Sequence, residues 1–223
     1  FYPILVEGVQ RAFRMGFRVG IVTNGYWATT VRDAEEWLQP FVGQIFDLSI
    51  SSDLYHSDRE MSEQAERAVK AAENLSLPVG VISIPQPEDG RDGLMYKGRA
   101  AERLTDLSEK QAWQGFTACP YEDFISPGRV HIDPYGYIHL CQGVCIGSLR
   151  ENSLEAIFAD FDPACDPVIG PLQAGGPAAL ARRHQLSPEE GYVDACHLCY
   201  RIREQLRTAY PDILAPDAMY GIY

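Results

Sequence analysis

The sequence predicts an α/β fold, a parallel sheet with helices packed on it, followed by a small cysteine-rich module built from a β-hairpin and helices. Two observations carry this. In the first part of the chain, short β-branched runs alternate with segments of helical periodicity, the pattern of βαβ units. All six cysteines fall in the second part, where the chain turns loop-rich. The boundary is expected near Cys119, with 1–118 as the α/β part and 119–223 as the module.

Each element has a local reason. Ile4, Leu5, Val9, Ala12 and Phe13 share one helical face, and Gly16 ends the run. The chain opens at Phe1 inside this periodicity, so a preceding segment is expected. Residues 17–23 form an apolar run closed by Asn24-Gly25, which reads as a strand and a turn. Val31, Ala34, Trp37 and Leu38 mark a helix stopped by Pro40. Residues 46–50 read as a second strand. Met61, Ala65, Ala68, Val69 and Ala72 read as a helix with a charged outer face. A third strand covers 78–84 and leads into a Gly/Pro/Asp-rich loop over 85–93. Strands this apolar are expected to be buried on both faces.

In the second part, residues 129–133 and 137–141 alternate around Pro134-Tyr135-Gly136 and predict a hairpin. A short helix near 153–158, a Gly/Pro-rich loop over 170–177 and a helix over 200–210 complete the reading. His131 and His139 are expected on the hairpin surface, with Tyr135 and Tyr137 packing its turn.

Composition removes several function classes. A net charge of −12 argues against a nucleic-acid surface, which needs clustered Lys and Arg. No apolar run approaches the roughly 20 residues of a spanning helix, and the start has neither the basic region nor the cleavage site of a signal peptide. Gly-x-Gly-x-x-Gly, P-loop and Gly-x-Ser-x-Gly signatures are absent.

Open parallel sheets bind ligands at the carboxyl ends of their strands. Those ends carry Thr23-Asn24-Gly25, Ser51-Ser52-Asp53 and the loop after Ile84, so a small-molecule site is expected there. His56 would sit on its rim, where a solvated loop histidine is the simpler reading.

The cysteines are Cys119, Cys141, Cys145, Cys165, Cys196 and Cys199. Cys196 and Cys199 form a CxxC, which aims two thiolates at one centre and suits a metal better than a disulfide framework. Their partners must come from about 55 or more residues upstream. Cys141, at the end of a hairpin strand, and Cys119, before the hairpin, complete a four-thiolate set. Cys145 is the alternative to Cys119, and Cys165 reads as a small buried hydrophobe. The residues alone do not separate an all-cysteine zinc site from a [4Fe–4S] cluster. His197, inside the CxxC, is either a support for that centre or an exposed spacer.

Taken together, these residues resemble the radical S-adenosylmethionine superfamily. The strand ends Thr23-Asn24-Gly25 and Ser51-Ser52-Asp53 are similar to its middle part. Cys119, Gly136 followed by Cys141, the pair Cys196 and Cys199, and the segments 146–149 and 153–158 resemble its auxiliary-cluster extension, known as SPASM or, when shorter, twitch. The gap from Cys119 to Gly136 is somewhat longer than in that family.

The resemblance implies a partial parallel (β/α)6-type barrel plus a module in which Cys119, Cys141, Cys196 and Cys199 hold an auxiliary [4Fe–4S] cluster. It places Ser51 and Asp53 at the ribose of S-adenosylmethionine, with Asn24 and Gly25 near the same cofactor. It further implies a second [4Fe–4S] cluster that generates a 5′-deoxyadenosyl radical, a small-molecule or peptide substrate, a flavodoxin- or ferredoxin-type reductant and a cytoplasmic location. The CxxxCxxC loop that holds the radical-generating cluster does not occur in these 223 residues. Without it the chain would not perform the radical step alone. The non-catalytic reading is an α/β binding domain with a four-cysteine zinc module. A different α/β enzyme using Ser51, Asp53 and His56 ranks last, because those residues lie too close together in sequence to form a nucleophile, base and orienting group.

Overall fold

The computed structural model describes residues 2–52, 61–84 and 94–222. The chain divides into two compact units, Phe1–Leu94 and Met95–Tyr223. Residues 95–118, expected with the α/β part, therefore belong to the second unit.

In the first unit, helix α1 (Tyr2–Arg14) precedes strand β1 (Gly20–Thr23), helix α2 (Val31–Leu38), strand β2 (Asp47–Ser51), helix α3 (Glu63–Asn74) and strand β3 (Val79–Ile82). The strands form a parallel sheet in the order β1-β2-β3, pairing Ile21 with Leu48 and Ile50 with Val81. Mixed α/β architecture is thus present, and among the described residues the sheet is open with three strands. Leu48 and Ile50 alternate with Asp47, Ser49 and Ser51 along β2, so only the leucine and isoleucine enter the core. They pack with Ala34, Leu38, Phe41 and the alanines at 65, 68, 71 and 72. Small residues on α3 let the helix backbone lie close to the turn after β1, where the Cβ position of Gly25 is 3.5 Å from the Ala65 Cα.

Burial on both sheet faces is not what the described residues show. The face carrying Val22, Ser49, Ser51 and Ile82 is open, with Val22 68% exposed. The apolar run of β1 alone could not reveal this, because an apolar residue is compatible with either side. Leu48 is fully buried at the centre of the covered face. Leu48→Ala is expected to destabilise this unit by about 2–5 kcal/mol, measurable as an earlier denaturant midpoint at unchanged slope.

In the second unit, helix α4 (Arg99–Arg103) is followed by β4 (Gln111–Ala112), β5 (His131–Ile132), β6 (Tyr137–Cys141), β7 (Val144–Ser148), α5 (Leu154–Asp160), α6 (Ile169–Arg183), β8 (Gly191–Tyr192) and α7 (Ala195–Leu206). The predicted hairpin is β5-β6, extended by β7 into an antiparallel meander, and β4 pairs with β8. The core joins Leu140 and Val144 of the meander to Ile169, Leu172 and Leu180 of α6 and to Leu198, Ile202 and Leu206 of α7.

Three expectations change here. The Gly/Pro-rich stretch 170–177 lies within α6, which bends where Gly175 and Gly176 leave helical geometry and Pro177 restarts it. Proline is well placed in a first helical turn, since its missing N–H has no partner there anyway. Helix α7 begins earlier than expected: the Asp194 carboxylate accepts the His197 N–H at 2.6 Å and caps it, so the CxxC occupies helical turns rather than a loop. His139 is not on the surface. It is fully buried, with Nε2 3.3 Å from Asp133 Oδ2.

Burial drives the His139 pKa below its ordinary 6.5, outweighing the hydrogen bond and charge of Asp133, which pull the other way. A histidine kept neutral in the folded state binds fewer protons than its unfolded counterpart. Stability is then full above about pH 6.5 and falls as the pH drops below it. His139→Gln should flatten that decline in the stability of this unit.

Candidate metal centre

Cys119, Cys141, Cys196 and Cys199 line one cavity of about 20 Å³ in the second unit. They reach it from three places. Cys141 is the last residue of β6, aimed by its pairing with Val144 across the two-residue turn Gln142-Gly143. Cys196 and Cys199 project from the first turns of α7, where spacing by three brings side chains to one helical face. Cys119 lies on the loop before β5 and is held there by α6. The Ala178 N–H donates to the Phe116 carbonyl at 3.0 Å, and Gly176 lies against the backbone of Thr117 and Ala118. A Cβ at Gly176 would come within 2.4 Å of the Ala118 nitrogen. The bend in α6 thus brings the Cys119 loop against the cavity.

The remaining lining is apolar apart from two cations, Lys97 and Arg203, and the rest includes Phe124, Leu172 and Pro177. Converging thiols raise one another's pKa. Burial pushes the Cys196 thiol well above its ordinary range, with Asp194, Cys199 and Cys141 adding to the effect. Burial likewise raises Cys199 to about 11, against the pull of Arg203 and with support from Cys141 and Cys119. A bound cation reverses this, because thiolates that repel one another are each attracted to a shared metal and ligate it deprotonated. The thiols are not drawn into a tight coordination shell: among the described residues no three His, Cys, Asp or Glu side chains are close enough to hold one ion. Binding would draw the thiols closer together around the shared cavity.

The donor set fits a thiophilic centre. Four sulfurs with no carboxylate or imidazole lining the cavity match zinc or an iron–sulfur cluster and are unsuited to calcium or magnesium. Cys145 does not join them. Its side chain is buried, and its Sγ donates to the Gly147 carbonyl at 3.3 Å. That geometry favours Cys119 as the fourth thiol. Cys165, expected to be buried, is exposed, because its Pro-flanked turn stands outside the packed core and its thiol bonds to Asp162.

His197 is buried, with its ring 4.9 Å from that of Tyr192 and its Nδ1 accepting the Val193 N–H at 3.3 Å. It supports the approach to α7 rather than acting as an exposed spacer. Tyr220 closes the other side of the Gln142-Gly143 turn: its hydroxyl donates to the Gly143 carbonyl at 2.6 Å. Gly143, at φ +81, leaves room for that ring, since a Cβ there would lie 3.0 Å from the hydroxyl. Neither Gly176 nor Tyr220 was singled out for the site from the sequence. Gly175-Gly176-Pro177 was the available signal, read only as a loop.

The residues expected at the strand ends of the first unit are placed differently. Thr23 Oγ1 accepts from the Trp27 indole at 2.8 Å and from the Gly25 N–H at 3.3 Å, and the Asn24 side chain accepts the Tyr26 N–H at 3.3 Å. Gly25 is buried at φ +70, a left-handed conformation that favours glycine. Asn24 and Gly25 therefore have a structural role in the turn. Ser51 sits at the carboxyl end of β2, beside Ile82, on the open face. Ser52 is buried and accepts the Ser62 N–H at 3.0 Å, tying the strand end to the start of α3. Asp53 and His56 lie outside the described residues. Among the described residues no helix is long and apolar enough to cross a membrane. No family model and no curated protein matches the chain.

Proposed function

We propose that the second unit is a metallocentre module in which Cys119, Cys141, Cys196 and Cys199 hold a [4Fe–4S] cluster, the auxiliary centre of a radical S-adenosylmethionine enzyme. The observation that supports it is the convergence of these four thiols, from a loop, a strand end and a helix, on one cavity. When bound, such a cluster supplies one-electron transfer or a site for substrate. This chain's residues position the thiols and leave them partly buried: Leu172 and Phe124 form apolar walls, and Pro177 lines the side next to the Cys119 loop.

In the first unit, the carboxyl end of the parallel sheet, where Ser51 closes the central strand, is the proposed cofactor and substrate side. A hydroxyl there is suited to hydrogen-bond a ribose diol. The radical-generating cluster would have to be held by residues outside this sequence. The substrate is proposed to be a small molecule or a peptide, with a flavodoxin- or ferredoxin-type reductant and a cytoplasmic setting.

A single zinc ion is the second reading, and the small cavity favours it. Structural zinc takes four tetrahedral ligands, four thiolates among the usual sets, and little space, whereas a cluster would require the walls to open further. Anaerobic reconstitution with iron and sulfide, compared with zinc alone, separates them. The cluster reading expects a broad absorption near about 400 nm that bleaches on reduction. Saturation by one zinc, with no such band under iron and sulfide, would favour the zinc reading.

A further inference from the structure

Arg203 is 2% exposed and lines the same cavity as the four thiols. It lies on α7, one turn beyond Cys199. Nη1 donates to the Gln142 carbonyl at 3.0 Å and Nε to the Cys199 carbonyl at 3.4 Å. The guanidinium carbon is 5.7 Å from the Tyr220 ring centre. Carbonyls and a phenol ring are neutral partners. Among the described residues no carboxylate hydrogen-bonds to this side chain or forms an ion pair with it.

A guanidinium keeps its charge, and a buried charge without a counter-charge is strongly destabilising. The nearby groups able to become anionic are the thiols and the Tyr220 phenol, and burial favours the neutral form of the phenol, whose hydroxyl donates to the Gly143 carbonyl. Four thiolates around zinc or a cluster leave about two net negative charges. Lys97 also lines the cavity, from a partly exposed position. Gln142 and Cys199, whose carbonyls hold the guanidinium, each lie next to or within the cysteine set, so the cation is fixed to the same two elements that carry Cys141, Cys196 and Cys199.

We infer that Arg203 is the buried counter-charge of the four-cysteine centre, a positioning residue that sets the centre's metal affinity and, for a cluster, its reduction potential. The inference rests on the proposed centre. Charge is the active property, so retaining it on a different side chain should preserve the effect. Removing it while retaining a hydrogen-bond donor should not.

The test compares the full chain with Arg203→Lys and Arg203→Gln, using zinc ion as the probe in competition with a chelator of known affinity. Arg203→Gln is expected to bind zinc about 10–100-fold more weakly, the range typical when a partner of metal ligands is lost. Arg203→Lys should stay within about threefold of the parent. For a chain reconstituted with iron and sulfide, the midpoint potential should fall in Arg203→Gln, because the reduced centre is the more negative one, and be largely restored in Arg203→Lys.

Equal affinities for Arg203→Gln and the parent, or equal losses in both variants, would overturn the inference. So would failure of both variants to fold, since the side chain would then be needed for structure rather than charge. If the parent chain binds neither zinc nor iron, or if Cys196→Ala/Cys199→Ala binds as well as the parent, the centre itself is overturned, and Arg203's role with it. That pattern is distinct from one in which the parent loads normally and the Arg203 variants match it.

Discussion

Gly176→Ala is expected to destabilise the second unit by roughly 2–6 kcal/mol and to weaken metal binding at the proposed centre. Two costs combine. The residue sits at φ +62, where an L side chain is strained by about 1–3 kcal/mol. Its Cβ would also overlap the Thr117–Ala118 backbone, at 2.5 Å from the Thr117 carbonyl carbon and 2.4 Å from the Ala118 nitrogen. Backbone cannot rotate away as a flexible side chain can, so relief requires the Cys119 loop to move off α6, at a typical overpacking cost of about 1–3 kcal/mol. The metal readout makes the prediction specific. Displacing the loop withdraws one of four thiols, so zinc affinity should fall along with the melting temperature. Gly175→Ala faces a milder neighbour, the Ala179 Cβ at 3.0 Å, and should do less. A Gly176→Ala chain with unchanged affinity would mean that the bend in α6 does not seat Cys119.

The second large effect separates the cysteines. Replacing Cys119, Cys141, Cys196 or Cys199 singly by alanine is expected to abolish the proposed centre, because each is one of the four thiols lining the cavity. Cys145→Ala should retain full loading. It removes a small buried group engaged with the Gly147 carbonyl, and the loss should be about 1 kcal/mol of stability. Cys165→Ala, at an exposed position, should change neither quantity. If Cys145→Ala lost the metal and Cys119→Ala kept it, the ligand set proposed here would be wrong at its fourth member.

The sequence announced some parts of this molecule more clearly than others. The βαβ order of the first unit followed from alternating periodicities, and the structure has β1, β2 and β3 parallel and in sequence. Which sheet face is covered did not follow, because Val22 on the open face and Ile21 in the core have the same chemistry. The second unit resisted for a different reason. Gly170 to Pro177 contains every residue type that breaks helices, yet tertiary packing of Leu172, Leu180 and Ala181 holds α6 together on both sides of its bend. Strand β7 was missed because Val144–Ser148 carries Gly147 within it, and a glycine inside a strand weakens the strand signal.

Spacing singled out the pair Cys196 and Cys199 and the strand-end Cys141, and left Cys119 and Cys145 as alternatives for the fourth thiol. The CxxC reads as a loop aiming two thiolates at one centre, and the structure places it in the first turns of α7; a cysteine at a strand end is rigidly aimed. Arg203 was not singled out, since an arginine in an amphipathic helix looks the same whether it faces solvent or a cavity. His139 illustrates the same limit. Alternation in β6 puts His139 on the face opposite Ile138 and Leu140, yet all three are buried, so both faces of the strand are covered and Asp133 at the hairpin turn becomes the partner of His139.

The most direct test of the metal-centre proposal is the iron, sulfide and zinc content of anaerobically purified full chain. About four irons and four sulfides per chain would agree with a cluster on Cys119, Cys141, Cys196 and Cys199. One zinc without sulfide would contradict the cluster and leave a zinc-tied module. A folded chain that carries none of the three, and takes up none on reconstitution, would contradict the metal centre altogether.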